Sequence, residues 1–344
     1  MIEQTTGLAI PTDLLDESTD SLVHRPEPEV ETVRVFDRLD KMKALRFHKF
    51  GGPEVMVFEE IPIPHPGPGQ VLVKVAGSGV NPIDWKLREG HVGRNVPLPA
   101  TMSREFSGTV ERLGDGVSDL AIGDEVYGIA DGSCAEYVVS EASATGLKPP
   151  SMDLADAAAV PLAGMTAYQA LFDTADIKAG HRVVITAASG GVGTFAIQLA
   201  KWKGAYVIAS TSAKNAHLAQ ELGADEIVDY AIANFEDVVQ DVDMVLDALG
   251  GDTAVKSLKA LKPGGIVVSL ASEAPSEQAA AAGKRAVHIM MQPKRHDLDH
   301  LSALIQDLLV RPVIDTVVRF DEAIAAEKES QGGHVVGKIV VRVS

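Results

Sequence analysis

The sequence predicts an α/β protein of two units, a compact and mostly β unit and a doubly wound parallel sheet of six strands. Three observations carry that prediction. The 19 residues from Val183 to Lys201 (VVITAASGGVGTFAIQLAK) read as a buried strand, a glycine turn and an amphipathic helix in succession. The texture changes near Pro161, from short strands punctuated by Gly and Pro to strands alternating with helices. The closing GKIVVRV reads as a strand, yet an open six-stranded sheet needs no seventh, so it returns to the first unit.

Composition sets outer bounds. At 344 residues the chain is long for one core, and 46% hydrophobic residues supply ample material for two. A formal net charge of −17 argues against nucleic acid or an anionic membrane surface as partner. No apolar run approaches the ~18 residues of a membrane span, so the expectation is a cytoplasmic enzyme with a small-molecule substrate, monomeric or homodimeric. The single cysteine, Cys134, permits no intrachain disulfide and no thiolate-rich zinc site.

Residues 1–41 hold 10 acidic and 4 basic residues around RPEPEVE, and are expected to form a flexible acidic extension. Residues 42–161 carry short strands at Ala44–Phe47, Val55–Glu60, Val71–Ala76, Gly108–Leu113, Glu125–Tyr127 and Ala135–Val139. Residues 162–298 carry the parallel sheet: after Val183–Ile185 come Tyr206–Ala209, Glu226–Asp229, Met244–Asp247, Ile266–Leu270 and Val287–Met290. Gly223 sits where a helix C-cap belongs, and Pro263, Gly264 and Gly265 turn into the fifth strand. Leu298, Leu301, Ile305 and Leu308 share a helix face, and 299–344 complete the first unit.

The turn at the centre is the expected cofactor site. Against the GxGxxG pattern, Ala188, Gly190 and Gly193 take the three glycine positions, with Ser189, Gly191 and Val192 between them. A glycine at the second position lets the backbone approach a pyrophosphate, and one at the third lets helix and strand pack closely. The N–H groups at the helix start then face the anion. An NAD site usually offers a carboxylate about 20 residues on, beside the adenosine ribose. From Ala205 to Gln220 there is no Asp or Glu; the second strand runs into Ser210, Thr211, Ser212 and Lys214. Hydroxyls and an ammonium suit a phosphate that a carboxylate would repel, so the expected cofactor is NADP(H). Ser212 as a helix N-cap and Lys214 as a solvated cation is the plainer alternative.

The segments MKALRFHKFGGPEVMVFEEIP, GSGVNPIDWKLREG, EFSGTVERLGDGV, GDEVYG, AEYVV, AAAVPLAGMTAYQAL, AASGGVG and GKIVV together resemble the medium-chain dehydrogenase/reductase superfamily. Within it they resemble the zinc-free quinone oxidoreductases related to zeta-crystallin. The resemblance implies a GroES-like catalytic domain made from both chain ends, a Rossmann domain between, and a cleft where they meet. Zinc-dependent relatives place Cys, His and Cys where this sequence has Asn81, Arg104 and Leu162. An amide, a guanidinium and an isobutyl group cannot form the three-ligand open site of a catalytic zinc, so no metal is expected. Without that Lewis acid, an acceptor whose own π-system spreads the incoming charge is the better chemical fit.

The same resemblance places the Asn81 amide near nicotinamide and substrate, although an Asn before Pro82 also suits a turn. It puts Asp84 after the first lost zinc position, where a proton donor or a structural ion pair are the two readings. Thr166 falls in the GxTA pattern beside the nicotinamide, or N-caps a helix. Tyr230 matches a tyrosine used around the adenosine phosphate, or is an ordinary strand-end aromatic. A basic residue that some relatives supply from the C-terminal segment has no clear match. The expected activity is NADPH-dependent hydride transfer to a quinone or an α,β-unsaturated carbonyl. An enoyl-thioester or medium-chain enone reductase, and a non-enzymatic NADPH-binding protein like the crystallins, are the alternatives.

Overall fold

The computed structural model describes residues 40–92 and 96–344. The expectation for the first 41 residues therefore lies outside the described residues, apart from Asp40 and Lys41, and Lys41 already belongs to a strand.

The chain opens with β1 (Lys41–Phe47), β2 (Met56–Pro62) and β3 (Gln70–Val80), then α1 (Pro82–Arg88). β4 (Ala100–Thr101), β5 (Glu105–Leu113), β6 (Glu125–Ile129), β7 (Tyr137–Glu141) and β8 (Thr145–Leu147) follow, and α2 (Pro161–Tyr168) ends this stretch. β9 (Arg182–Ile185), α3 (Gly191–Trp202), β10 (Tyr206–Thr211), α4 (Ala216–Glu221), β11 (Glu226–Asp229) and α5 (Phe235–Val238) form half of the alternating region. β12 (Val242–Asp247), α6 (Asp252–Ser257), β13 (Leu261–Ser269), α7 (Ser276–Ala281) and β14 (Arg285–His288) form the other half. The chain closes with α8 (Arg295–Gln306), β15 (Ile314–Arg319), α9 (Ala323–Gly332) and β16 (Lys338–Arg342).

The alternating region folds into a six-stranded sheet in the order β11-β10-β9-β12-β13-β14, parallel throughout. Strand order reverses beside β9, and that switch point is where such sheets leave a crevice beyond their carboxyl ends. Successive side chains of β9 serve opposite faces: Val183 and Ile185 pack with Phe195, Leu199 and Leu301, whereas Val184 packs with Ile208, Val245 and Val267. Each such fully buried aliphatic side chain contributes roughly 1.5–3 kcal/mol.

A second sheet runs β15-β16-β3-β5-β6-β8, with β7 beside β3. β16 pairs antiparallel with β3, placing Ile339 opposite Val80, and the last strand thereby completes the N-terminal sheet. Two details depart from the sequence reading. α8 buries Leu298, Leu301, Leu304 and Ile305 but ends at Gln306; Leu308 turns left-handed (φ 58°) and is 86% exposed. The sixth strand starts and ends two residues earlier than expected, which frees Met290 to reach the cleft.

Candidate active site

A cleft of about 390 Å³ opens between the two sheets. From the parallel sheet it takes the glycine turn, Gly190 to Gly193; from the other sheet it takes Asn81, Arg104 and Lys338. Leu162, Thr166, Leu270, Ile289, Met290 and Met291 give it an apolar wall. Asn81, Arg104 and Leu162, the three positions where zinc-dependent relatives carry ligands, thus meet in one place. Among the described residues no group of three or more His, Cys, Asp or Glu side chains is disposed to hold a metal ion.

The glycine turn fits a dinucleotide diphosphate. Gly190 is the N-cap of α3 with no side-chain cap, and Gly191, Val192 and Gly193 of the first helical turn line the cleft, where free N–H groups suit an anion. A Cβ on Gly193 would lie 2.5 Å from Ala187 O and 2.7 Å from the Ala188 Cα, so only glycine lets α3 pack this closely on the turn. Ala187 itself adopts φ 46°, a left-handed backbone that L side chains rarely take. Ala188 is fully buried, and Ser189 braces the turn by accepting hydrogen bonds from Thr211 Oγ1 (3.2 Å) and Asn215 Nδ2 (3.0 Å).

Those bonds alter the reading at the ribose end. Ser210 and Thr211 are 5% and 1% exposed at the end of β10, and the Thr211 hydroxyl is spent on Ser189 rather than offered to a phosphate. Lys214 is exposed and has no ion-pair partner among the described residues; Tyr230 follows β11, is 61% exposed, and donates its N–H to Thr211 O at 3.4 Å. Thr166 lies inside α2, not at its N-cap, and its hydroxyl donates to Leu162 O at 2.7 Å.

At the floor of the cleft, Asn81 caps α1 and its amide is held at both ends. Asn81 Nδ2 donates to Glu105 Oε1 at 2.7 Å, while Lys338 Nζ donates to Asn81 Oδ1. The two partners fix which end of the amide is which, since an ammonium can only donate and a carboxylate here accepts. Lys338 also donates to Val80 O (3.1 Å) and Glu105 Oε1 (2.5 Å), which uses all three of its protons. Glu105 Oε2 accepts the Leu162 N–H at 2.7 Å. Lys338 and Glu105 are 3% and 0% exposed, an ion pair whose desolvation cost is offset only because nearly every polar atom is engaged. The second Asn81 Nδ2–H has no partner among the described residues, and Asn81 lines the cleft.

The reading of Asp84 as a proton donor does not fit its position. It is 2% exposed, does not line the cleft, and accepts the Asn81 backbone N–H at 2.8 Å, completing a capping box at the start of α1. Burial pushes its pKa up to about 7, against the pull of that hydrogen bond and of the Lys338 charge. Nearby Glu327 is pushed well above the carboxylate range by burial and then by the Asp84 charge. Burial likewise raises the Cys134 thiol well above its ordinary value, in keeping with an inert side chain.

Lys338 is the residue the sequence did not yield, since GKIVV read only as a strand. It also ties the two halves of the cleft together. Gly337 N–H donates to Ser189 O at 2.8 Å, and the Lys338 stem crosses Gly191 so closely that a Cβ there would lie 2.9 Å from Lys338 Cδ.

A dinucleotide turn and a polar floor built of an amide, an ammonium and a carboxylate facing one cleft define a two-domain oxidoreductase of the nucleotide-dependent class. The "Alcohol dehydrogenase GroES-like domain" family matches residues 67–175, and the "Zinc-binding dehydrogenase" family matches residues 222–341. The chain is 31% identical to the chloroplast envelope quinone oxidoreductase homolog of Arabidopsis thaliana, over 87% of this chain and 98% of that protein. It is 34% identical to the chloroplastic NADPH-dependent alkenal/one oxidoreductase of the same plant, over 88% of this chain and 79% of that one. The solved quinone oxidoreductase of Coxiella burnetii superposes with a TM-score of 0.84 at 36% identity, over 89% of this chain and all of that one. The chain belongs to the medium-chain dehydrogenase/reductase superfamily, in its zinc-free quinone oxidoreductase branch.

Proposed function

We propose that this chain is a zinc-independent, NADPH-dependent oxidoreductase that delivers hydride to a quinone or an α,β-unsaturated carbonyl. Its catalytic domain is 42–161 completed by 299–344, and its Rossmann NADP-binding domain is 162–298. The observation that carries this reading is the Asn81 amide, clamped between Glu105 and Lys338, with one N–H left for an acceptor in the cleft that holds the dinucleotide turn. The relatives support the same reading by name, one as a quinone oxidoreductase homolog and one as an NADPH-dependent alkenal/one oxidoreductase.

In this site bound NADPH supplies the hydride, and the acceptor's conjugated π-system takes up the charge. The free Asn81 N–H orients the acceptor by its carbonyl oxygen and meets the negative charge that develops there. The Lys338 charge, hydrogen-bonded to the far end of the same amide, polarises that donor. Leu162, Leu270 and Met291 keep water from the reacting face. Lys338 has no proton to spare without breaking the clamp, so it acts by positioning, and solvent protonates the product.

At the ribose end Lys214, with Ser212 and Tyr230 near it, is assigned to the 2′-phosphate. No helix among the described residues is long and apolar enough to cross a membrane; a cytoplasmic monomer or homodimer is the state assigned in this proposal. The deciding experiment follows nicotinamide absorbance with a panel of quinones and enones. NADPH oxidation supports the proposal; NADPH that binds but stays reduced with every acceptor would make this a binding protein.

A further inference from the structure

Among the described residues, three cations line the cleft and no carboxylate does, in a chain whose formal net charge is −17. Lys338 is spent on Glu105 and Asn81, but Lys86 and Arg104 are not accounted for by the reductase reading. Lys86 lies on α1, the helix that Asn81 caps; its ammonium sits 5.6 Å from the Trp85 ring centroid and has no ion pair among the described residues. Arg104 immediately precedes Glu105, which holds the Asn81 amide. Its Nε donates to Asp131 at 2.6 Å, and its two terminal nitrogens have no partner among the described residues. Asp131 is 81% exposed and outside the cleft lining, so this is a surface pair that a better-placed anion can replace at little cost.

The cofactor's own anionic groups do not need these cations. The diphosphate has the start of α3, and the ribose phosphate has Lys214, both on the parallel sheet. Lys86 and Arg104 belong instead to the side of the cleft that carries Asn81, where the acceptor's reacting end must lie. A guanidinium with a free fork is the group that reads a carboxylate in two parallel hydrogen bonds, and a nearby ammonium adds a point charge. We infer that the acceptor is an α,β-unsaturated carbonyl compound bearing a carboxylate within a few bonds of the reacting carbonyl, held by Arg104 and Lys86.

This rests on the reductase reading and narrows its substrate class. The acceptor's β-carbon gains the hydride, its π pair moves to the carbonyl oxygen, and a solvent proton at the α-carbon completes the saturated keto acid as NADPH becomes NADP⁺. The position of the cations favours a short arm over a long phosphate-bearing carrier, whose charges would lie far from Asn81.

The test compares kcat/KM for 4-oxopent-2-enoate and its methyl ester with NADPH, in the full chain and in the Arg104→Met/Lys86→Met variant. The ratio of acid to ester is read within each protein, so a general loss of folded enzyme cancels. Loss of charge-assisted hydrogen bonds predicts an acid preference of about tenfold or more, falling towards unity in the variant and shrinking as salt is raised. A wild-type ratio at or below one, or a ratio that survives in the variant, overturns the inference while leaving the reductase reading intact. Crotonyl-CoA reduced faster than the keto acid overturns it in favour of a thioester carrier. NADPH left unoxidised by every acceptor removes the reductase reading, and this inference with it.

Discussion

Lys338 and Glu105, 233 residues apart in sequence, hold opposite charges 2.5 Å apart in the buried floor of the cleft, and the Asn81 amide is locked against both. Removing one partner leaves the other charge buried and unpaired. Lys338→Met should therefore destabilise the fold by about 3–5 kcal/mol. Adding Glu105→Gln removes the orphaned charge, and the double variant should recover most of that loss. It should not recover the hydride-transfer rate per folded molecule, because the Asn81 Oδ1 then lacks the Lys338 donor and charge that hold and polarise the amide, even though the glutamine at position 105 can still accept from Nδ2. Denaturation curves alongside single-turnover NADPH oxidation read the two effects separately. A stable double variant with the full rate would reduce the pair to a structural role.

At the proposed ribose end, Lys214 is exposed and has no ion-pair partner among the described residues. NADPH should bind more tightly than NADH, and Lys214→Ala should narrow that gap. The loss of one exposed ammonium–phosphate contact is expected to cost about 1.5–3 kcal/mol at most, less at high salt. Paired titrations of both cofactors on wild type and variant decide this, and equal wild-type affinities would end the NADP(H) assignment.

Asp84 predicts a pH dependence of stability. Its folded pKa of about 7 stands above the ordinary aspartate value of 3.8, so between those values the folded chain holds a proton that the unfolded chain releases. The associated stability is fully present below about pH 4 and is lost as pH rises through about 7. Asp84→Asn keeps an oxygen for the Asn81 N–H and cannot ionise. The variant should match wild type near pH 4 and exceed it at pH 8, by up to about 4 kcal/mol on 1.36 kcal/mol per pKa unit. Parallel melting curves for both proteins at pH 8 would sink the argument.

Much of this molecule was legible because its signals are local. The six parallel strands announce themselves as short apolar runs, and the switch-point turn as a glycine string between strand and helix. The capping box at Asn81 and Asp84 was also there to be read, three residues apart and before an apolar helix, and it explains Asp84 better than catalysis does. The helix face beyond Ile305 misled because periodicity does not show where a chain turns left-handed, as it does at Leu308. Thr211 misled because residue type does not show that its hydroxyl is taken by Ser189. The clamp on Asn81 was out of reach for a different reason. Its members come from residues 81, 105 and 338, and only the pairing of β16 with β3 and β3 with β5 brings them together.

The clamp makes Asn81 itself the most direct test of the mechanism. With Oδ1 taken by Lys338 and one N–H by Glu105, the remaining N–H is the donor that the proposed mechanism assigns to the acceptor. Asn81→Ala should lower the single-turnover rate with a quinone or enone by roughly 5- to 150-fold, the equivalent of about 1–3 kcal/mol for one positioned hydrogen bond. NADPH affinity should change little, because the proposed diphosphate contacts lie on α3 and the proposed ribose contacts beyond β10. The variant also leaves the Lys338–Glu105 pair short of two hydrogen bonds, so some loss of melting temperature accompanies it. The rate per folded molecule, read at a temperature well below the lower melting point, isolates the chemical role. Asn81→Asp sharpens the result: it keeps the oxygen that Lys338 needs, but its carboxylate offers no N–H and repels the developing oxyanion. It should fall at least as far as the alanine variant in rate. If either variant were fully folded and oxidised NADPH at the wild-type rate, the acceptor would have to be oriented by another group, and the proposed chemistry at this amide would be wrong.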